Sequence, residues 1–361
     1  MTRNSGRSPG RARLRSAIGI TALLATGALT LTACASGSSS SANTAKAGST
    51  GSVGSTAMTN VSIGINAAVA GEIEPELAQT SGLFAKYGIN ATVTVIPSSN
   101  LLAALASGRV QFGAFGAPQP EEGILSGSQL KWLGVWEGKP NTQLIVGPGI
   151  TSIADLKGKS VGITVPGSLI DLFARLILTD NGVNPSNVTL QSLQSTTALT
   201  SAFEGGSIQA TILSPPQSTT ALKLKGAKSL LDVGSKYSWP QGGLVGYMPW
   251  VTSHSAATTK VMEAIAAAVN LYRSNPAAAK AAIKALAPTT TTADLNASYQ
   301  SAFATLATST IVPSLTTEQF VLKSMSTLYP TKYSKATPGT AANYIDSTYA
   351  TAAQKVVPIQ P

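Results

Sequence analysis

One stretch of this chain limits the fold more than any other, because it places a strand, a tight turn and a helix in direct succession. Ser160–Val165 is an apolar run of strand length, and Pro166–Gly167 interrupts it. Ser168 has the residue type of a helix N-cap, with Asp171 placed to complete a capping box. Apolar residues then recur on one helical face until Asn181–Gly182. This strand–turn–helix unit is typical of an α/β protein.

The turn in this unit can serve either of two purposes. It presents backbone N–H groups and the positive end of a helix dipole, which suit an anionic or polar ligand atom. Most capped junctions of this kind in α/β proteins bind nothing, so helix capping alone is the alternative. The local sequence leaves both interpretations open.

Strand-length runs alternate with helical patterns along most of the chain. Strands are expected at Val61–Asn66, Ala91–Ile96, Val110–Phe115, Leu130–Trp136, Gln143–Val146, Ser160–Val165, Val188–Leu193, Ile208–Leu213, Ser229–Val233 and Gly242–Pro249. One helix is expected from Pro75 to about Tyr87, with Gly82 inside it, and the pattern from His254 to Ala353 is helical. Such alternation predicts a mainly parallel sheet.

The N-terminal residues indicate export. Arginines and then the apolar run Ala17–Leu31 form the pattern of a signal peptide over residues 1–33. The following Leu31-Thr32-Ala33-Cys34 resembles the bacterial lipobox, which implies a lipid on Cys34 and anchoring at the outer face of the cytoplasmic membrane. An ordinary signal peptide with a chance cysteine is the alternative. The sequence of residues 34–58 then predicts a lipidated cysteine followed by a flexible tether.

Charge and cysteine content exclude several classes of protein. The formal net charge is +10, but five arginines lie in the signal region, so 20 Lys+Arg face 15 Asp+Glu beyond it. No basic run is interleaved with aromatic residues, so no nucleic-acid partner is expected. Cys34 is the only cysteine, which excludes an intramolecular disulfide and a cysteine-based metal cluster. Neither a metal nor a cofactor is expected.

Four motifs, in order over roughly Val61–Gly234, carry a resemblance to a known family. They are Gly82-Leu83-Phe84-Ala85-Lys86-Tyr87-Gly88, then Leu105-Ala106-Ser107-Gly108 running into Val110–Gly116, then Ser152–Gly162, then Ala202–Ala210 followed by Ser214-Pro215. The set is similar to the periplasmic-binding-protein-like components of ABC importers for nitrate, taurine and aliphatic sulfonates, a group that includes thiamine-pyrimidine binders. This chain departs from the family in having Gln111 and Gln209 where aspartate is frequent, both at strand starts where a structural role is expected.

The resemblance implies a type II periplasmic-binding-protein-like α/β fold, with two lobes, a ligand cleft and two crossover segments. Lobe one would comprise residues 59–146 plus 242–361, and lobe two residues 147–241. The crossovers would lie near Val146–Pro148 and Gln241–Gly243. The implied partners are a small-molecule solute, an ABC permease and, through the permease, its ATPase. A monomer is expected.

Ligands of open α/β sheets lie outside the carboxyl ends of the strands, which are also the cleft loops that the resemblance implies. The candidate ligand-binding residues are Ala67, Ser98, Ser99, Asn100, Gly116, Ala117, Gly167, Ser168, Leu169 and Ser214. The serines and Asn100 would donate hydrogen bonds, and Gly116 and Ala117 would let a ligand approach the backbone. Each serine could instead serve only as a cap. Glu72 is the one residue that argues for a cationic ligand group, and a solvated position for its carboxylate is the alternative.

Other side chains leave further alternatives open. Candidate cleft walls or core residues are Trp136, Trp239, Tyr247 and Trp250. No arginine is placed to clamp an anion, since Arg175 falls in a helix middle and is expected in solvent, and Arg109 lies beside a motif.

The expected function is capture of a small polar solute for import. Family frequency favours a sulfonate, nitrate or taurine-like anion, with a thiamine-pyrimidine or similar heterocycle as the alternative. An enzyme on the same fold is less favoured, because the chain has one histidine, His254, and no catalytic constellation. A regulator's effector domain would need a helix-turn-helix where the signal peptide stands.

Overall fold

Two five-stranded sheets form the framework of the computed structural model, which describes residues 58–65, 70–96 and 98–361. The strands are β1 Thr59–Ile65, β2 Ile89–Val95, β3 Phe112–Phe115, β4 Leu130–Glu137, β5 Gln143–Val146, β6 Ser160–Ile163, β7 Thr189–Ser192, β8 Ala210–Leu213, β9 Lys228–Asp232 and β10 Gly242–Tyr247. Cys34, the expected signal peptide and tether, and Ala67 lie outside the described residues. Each strand expected from the sequence is present, with ends that differ by a few residues.

Helices fill most of the segments between the strands and the C-terminal region. They are α1 Glu74–Thr80, α2 Leu83–Lys86, α3 Ser98–Ala106, α4 Gln119–Leu125, α5 Leu169–Asp180, α6 Thr196–Glu204, α7 Gln217–Ala221, α8 Val233–Lys236, α9 Met248–Ser253, α10 Ser255–Ser274, α11 Pro276–Leu286, α12 Thr292–Thr305, α13 Leu315–Leu328 and α14 Thr348–Val356. Short 3-10 turns add Ala70–Glu72 and Ile153–Leu156, among others. No helix among the described residues has the length and apolarity to cross a membrane.

Both sheets have the same design, and it confirms the expectation of mainly parallel strands. The strand order is β2-β1-β3-β10-β4 in the first sheet and β7-β6-β8-β5-β9 in the second. Within the first sheet only β10 runs antiparallel to its neighbours, and within the second only β5 does. These two strands are the ones by which the chain enters a sheet after crossing over. The connections at residues 138–142 and 233–241 are therefore the crossovers.

The first crossover lies earlier than the sequence suggested. Residues 143–146 were expected at the end of the first lobe, but β5 is hydrogen-bonded to β8 and β9 in the second sheet, with Gln143 opposite Leu213. An isolated apolar run carries no sign of which sheet it joins, so this boundary depends on tertiary pairing.

Two glutamines stand at equivalent positions of the two sheets. The Gln111 side-chain oxygen accepts the Ser62 N–H at 2.8 Å, and the Gln209 oxygen accepts the Ser160 N–H at 3.0 Å. Each amide group also donates to a nearby backbone carbonyl. Both departures from the family pattern therefore have the structural role expected of them, which is to tie the start of a central strand.

The core extends from one sheet to the other. One apolar cluster contains Trp132 of the first sheet, Ile163 and Phe173 of the second sheet and its helix α5, and Leu322 of α13. A second cluster packs the first sheet against α10. Trp136 and Trp239 are fully buried. Helix α13, in the C-terminal region, therefore packs against the α5 side of the second sheet and connects the two sheets.

Candidate functional site

A cavity of about 220 Å³ lies where loops from the two sheets face each other. We call it the cleft cavity, and its lining residues are Glu72, Gly116, Ala117, Pro118, Gln119, Glu122, Val165, Pro166, Gly167, Ser168, Leu169, Gln241 and Lys332. Most of these residues follow the carboxyl ends of β1, β3 and β6, which is the position that open α/β sheets use for ligands.

In the first-sheet wall, the backbone at Gly116 and Ala117 is held in place by the second crossover. The Ala117 N–H donates to the Pro240 carbonyl at 2.9 Å, and the Trp239 indole N–H donates to the Ala117 carbonyl at 3.0 Å. A Cβ atom on Gly116 would lie 2.8 Å from the Gln241 carbonyl oxygen, so no larger residue fits without a backbone shift. At Gly116 and Ala117 the wall thus presents mainly backbone to a solute.

The second-sheet wall is the turn before α5, as the sequence predicts. Gly167 has a φ of +83°, a conformation that glycine adopts readily, and Ser168 caps the helix by accepting the Asp171 N–H at 3.3 Å. The Ser168 hydroxyl also accepts the Thr164 hydroxyl proton at 2.9 Å. Ser168 is therefore both a capping residue and a cavity-lining residue.

Asp171 departs from the expected capping box. Its carboxylate accepts the N–H of Gly167 at 2.7 Å, rather than that of Ser168, and pairs with the Arg175 guanidinium at 2.9 Å. The Arg175 Nε also donates to the Tyr329 hydroxyl at 2.8 Å. The expectation that Arg175 lies free in solvent is wrong, because Asp171, one helical turn away and fully buried, holds its guanidinium.

A C-terminal segment reaches across the opening of the cleft cavity. Lys332 lies 3.0 Å from the Glu122 carboxylate, and the Tyr333 hydroxyl donates a short hydrogen bond to the same carboxylate. The Tyr329 hydroxyl accepts the Gly167 N–H at 3.3 Å. Residues 329–333 therefore contact α4 on one side of the cavity and the turn before α5 on the other.

Buried carboxyl groups lie behind the cavity. Burial raises the pKa of Glu121 to about 7, although the Trp132 indole N–H donates to it at 2.8 Å. Burial, then the charge of Glu121, raises the pKa of Glu318 on α13. These two carboxyl groups interact across α4 and α13, and one proton between them avoids two adjacent buried charges.

The structure brings five of the ten candidate residues together in the cleft cavity, namely Gly116, Ala117, Gly167, Ser168 and Leu169. Asn100 is exposed and lines a separate surface pocket beside Arg109. Ser214 directly follows β8, where its carbonyl accepts the Ser218 N–H at 3.0 Å, and it does not line the cavity. Ser98 and Ser99 begin α3.

Sequence reasoning missed four polar cavity residues: Gln119, Glu122, Gln241 and Lys332. Gln119 and Glu122 directly follow the loop chosen for Gly116 and Ala117, so extending that loop by one helical turn would have found them. Lys332 lies in the helical C-terminal region and has no local motif, since only the tertiary fold brings it to the cavity.

Other candidate features lie elsewhere. A larger cavity of about 520 Å³ lies beside the crossovers, and Lys139, Ser238 and Glu318 are among its lining residues. It receives no residue from the loops that follow β1, β3 and β6, so we place the candidate site in the smaller cavity. In the part of the chain that the structure describes, no cluster of three His, Cys, Asp or Glu residues could hold a metal ion.

The comparisons with known proteins agree with this fold. A family model described as NMT1/THI5 like matches residues 76–279, which is more than half of the chain. No curated protein matches the chain. Among solved structures, the periplasmic aliphatic sulphonate binding protein of Escherichia coli is similar with 21% identity and a TM-score of 0.66, over 75% of this chain and 92% of that one.

Two further structures are similar at lower identity. The alkanesulfonate-binding protein of Xanthomonas axonopodis pv. citri, bound to MOPS, has 18% identity and a TM-score of 0.60, covering 82% of this chain and 97% of that one. The periplasmic nitrate-binding protein of Synechocystis has 14% identity and a TM-score of 0.64, covering 83% and 89%. At these identities the likeness shows the fold, which is that of periplasmic binding proteins.

Proposed function

Because the chain belongs to the NMT1/THI5-like family, we propose that it is the extracytoplasmic solute-binding component of an ABC importer. It captures a small polar solute in the cleft cavity and delivers the solute to a membrane permease. The solutes named for the similar structures, alkanesulfonates and nitrate, are the first candidates to test, and a thiamine-pyrimidine or similar heterocycle is the alternative that the sequence resemblance implies.

The observation that carries this proposal is the meeting of two strand-end loops around one cavity. Gly116–Ala117 from the first sheet and Gly167–Leu169 from the second face the same space, and glycine backbone at both walls leaves room for a solute. A binding protein needs such a site between two parts of the molecule, because closure around the solute is the signal that a permease can read.

The domain arrangement follows the same reasoning. We propose that the first lobe carries the first sheet and most of the C-terminal helices, that the second lobe carries the second sheet, and that they move about the two crossovers. The crossovers join the sheets at residues 138–142 and 233–241.

The proposal extends to location and assembly. A signal peptide over residues 1–33, removed before Cys34, and lipid on that cysteine would hold a monomer at the outer face of the cytoplasmic membrane, beside the permease through which it would act on the ATPase. We propose no catalytic activity, since the cleft cavity has acceptors and backbone but no nucleophile–base pair among its lining residues.

The test is solute binding by the full chain, followed by thermal unfolding and calorimetry. The panel contains nitrate, ethanesulfonate, taurine, an aminopyrimidine and small amines. A solute at a hundred times its Kd adds about 2.7 kcal/mol to the free energy of unfolding, which raises Tm by a few degrees.

A matched pair of variants tests whether the solute binds in the cleft cavity. Gln119→Ala removes a cavity-lining amide, so we expect weaker binding of the responding solute. Gln300→Ala, on the exposed face of α12, is the control and should bind like the wild type. Failure of every solute class to bind would contradict the proposed function.

A further inference from the structure

Hydrogen-bond acceptors dominate what the cleft cavity offers to a solute. Two carboxylates line it, Glu72, which is only 3% exposed, and Glu122. The side-chain carbonyl oxygens of Gln119 and Gln241 are buried and have no hydrogen-bond partner. A buried acceptor without a partner costs free energy, so a solute that donates hydrogen bonds would satisfy groups that the protein itself leaves unsatisfied.

The formal charges of the lining residues also favour a solute that donates hydrogen bonds, and in particular a cation. Lys332 is the only cation among the described residues that line the cavity, and it is paired with Glu122 at 3.0 Å. Two carboxylates against one ammonium give the lining a formal negative charge. A negatively charged solute would increase the like charge in this small space, whereas a positively charged one would balance it.

The groups that could have bound an anion are already engaged. The start of α5 is the natural anion site of the second wall, but the Asp171 carboxylate supplies its negative charge from within the chain. Arg175, the nearest guanidinium, is held by that same carboxylate and by the Tyr329 hydroxyl. Arg175 is therefore not free to clamp a nitrate or sulfonate, and an anion at the start of α5 would lie close to the Asp171 carboxylate.

We propose, resting on the function proposed above, that the solute is a small organic cation whose protonated nitrogen binds Glu122 and Glu72 in place of the Lys332 ammonium. The Lys332 side chain is 53% exposed, so it can leave Glu122 for water when the solute arrives. A cavity of about 220 Å³ is smaller than the usual pocket for a drug-sized ligand, which limits the solute to a few non-hydrogen atoms around its nitrogen.

The test compares cations with anions of similar size. The full chain is titrated calorimetrically with ethylammonium, choline and agmatine, and separately with nitrate and ethanesulfonate, all at one fixed ionic strength. We expect at least one cation to bind and neither anion to bind.

Charge variants then separate the two solute classes. Glu122→Gln and Glu72→Gln each keep the shape of the side chain and remove its charge, so each should weaken cation binding at least tenfold. Lys332→Gln removes the group that competes for Glu122, so it should tighten cation binding severalfold. An anion site would respond in the opposite way, because loss of Lys332 would weaken it. Glu204→Gln, at an exposed glutamate of α6, is the matched control and should change nothing.

The possible results distinguish this inference from the proposed function. Binding of nitrate or ethanesulfonate that Lys332→Gln weakens would overturn the inference and leave the solute-binding role in place. Cation binding that is unchanged in both glutamate variants would overturn the assigned contacts. Binding of neither class would overturn the inference, and if the aminopyrimidine of the first panel also failed to bind, the proposed function would fall with it.

Discussion

Asp171 illustrates how one side chain can decide the character of a site. From the sequence it is a capping-box residue, yet in the structure it binds the Gly167 N–H and the Arg175 guanidinium. A carboxylate in this position neutralises both the helix N-terminus and the nearest arginine. The same strand–turn–helix sequence with an uncharged residue at position 171 would offer an anion site instead.

Glu137 gives a prediction for the dependence of stability on pH. It is fully buried, its carboxylate accepts a short hydrogen bond from the Thr305 hydroxyl, and burial raises its pKa to about 8 from 4.5. Between these values the folded protein holds a proton that the unfolded chain has released. This contribution to the free energy of unfolding is therefore complete below about pH 4.5 and is lost as the pH rises towards 8, by about 1.4 kcal/mol per pH unit.

The variant Glu137→Gln isolates this effect. Because glutamine does not titrate, we expect the free energy of unfolding of the variant, measured in urea, to fall less steeply between pH 5 and pH 8. The difference between the two slopes should correspond to about one bound proton. Glu204→Gln, at an exposed position, should keep the wild-type slope. Equal slopes for Glu137→Gln and the wild type would mean that Glu137 is ionised when folded.

At the scale of elements, glycine conformation explains one clear difference from the expected structure. The sequence predicts a single helix from Pro75 to about Tyr87, but Gly82 has a φ of +69° and ends it, so α1 and α2 are separate. The helical periodicity continues on both sides of the glycine, which is why the pattern alone does not reveal the break. The conformation of a glycine is set by packing, and the sequence shows only that such a conformation is allowed.

Gly82→Ala tests this explanation. Nothing lies within 4 Å of the added Cβ, so the cost is purely conformational and should be about 1 to 2 kcal/mol in the free energy of unfolding. Gly339 has equally open space and no positive φ, so Gly339→Ala should be close to neutral. Chemical denaturation of the two variants gives the comparison, and equal stabilities would contradict the proposed role of Gly82.

The strands were the most predictable elements, since alternation and β-branched runs are local signals. The two strand-start glutamines were also recognisable, because a departure from a family motif at a strand start has few physical uses. The sheet to which each strand belongs is harder to predict from the sequence. β5 looks like any other short apolar run, and only pairing with β8 and β9 assigns it to the second sheet.

At the scale of the whole molecule, α13 joins parts of the chain that are distant in sequence. Its Phe320 stacks against Tyr237 with ring centroids 6.2 Å apart and meets Trp239 edge-on at 6.3 Å. Residues 329–333, just after this helix, cross the cleft cavity. The contacts of Lys332 and Tyr333 with Glu122 thus depend on tertiary packing that no local sequence pattern encodes, which is why the sequence does not predict Lys332.

Phe320→Ala should loosen this connection. Loss of the ring from a half-buried position is expected to cost about 1 to 3 kcal/mol, and amide hydrogens of α13 should exchange faster with solvent. Phe303→Ala, at a partly buried ring of α12, is the control, because it should lower stability without selectively exposing α13. Unchanged exchange in α13 after Phe320→Ala would show that this contact does not hold the helix.

The position of β10 has a consequence for the order in which the chain can fold. It lies between β3 and β4, so the first sheet lacks an inner strand until residue 247 has been synthesised. At a synthesis rate of about 5–20 residues per second, the interval after residue 137 lasts roughly 5 to 20 s. During that time β3 and β4 each lack the neighbour that they have in the folded sheet, so we expect the first sheet to be completed only after β10 has been synthesised. Such a delay would favour export of the unfolded chain, which is the route that the N-terminal sequence predicts.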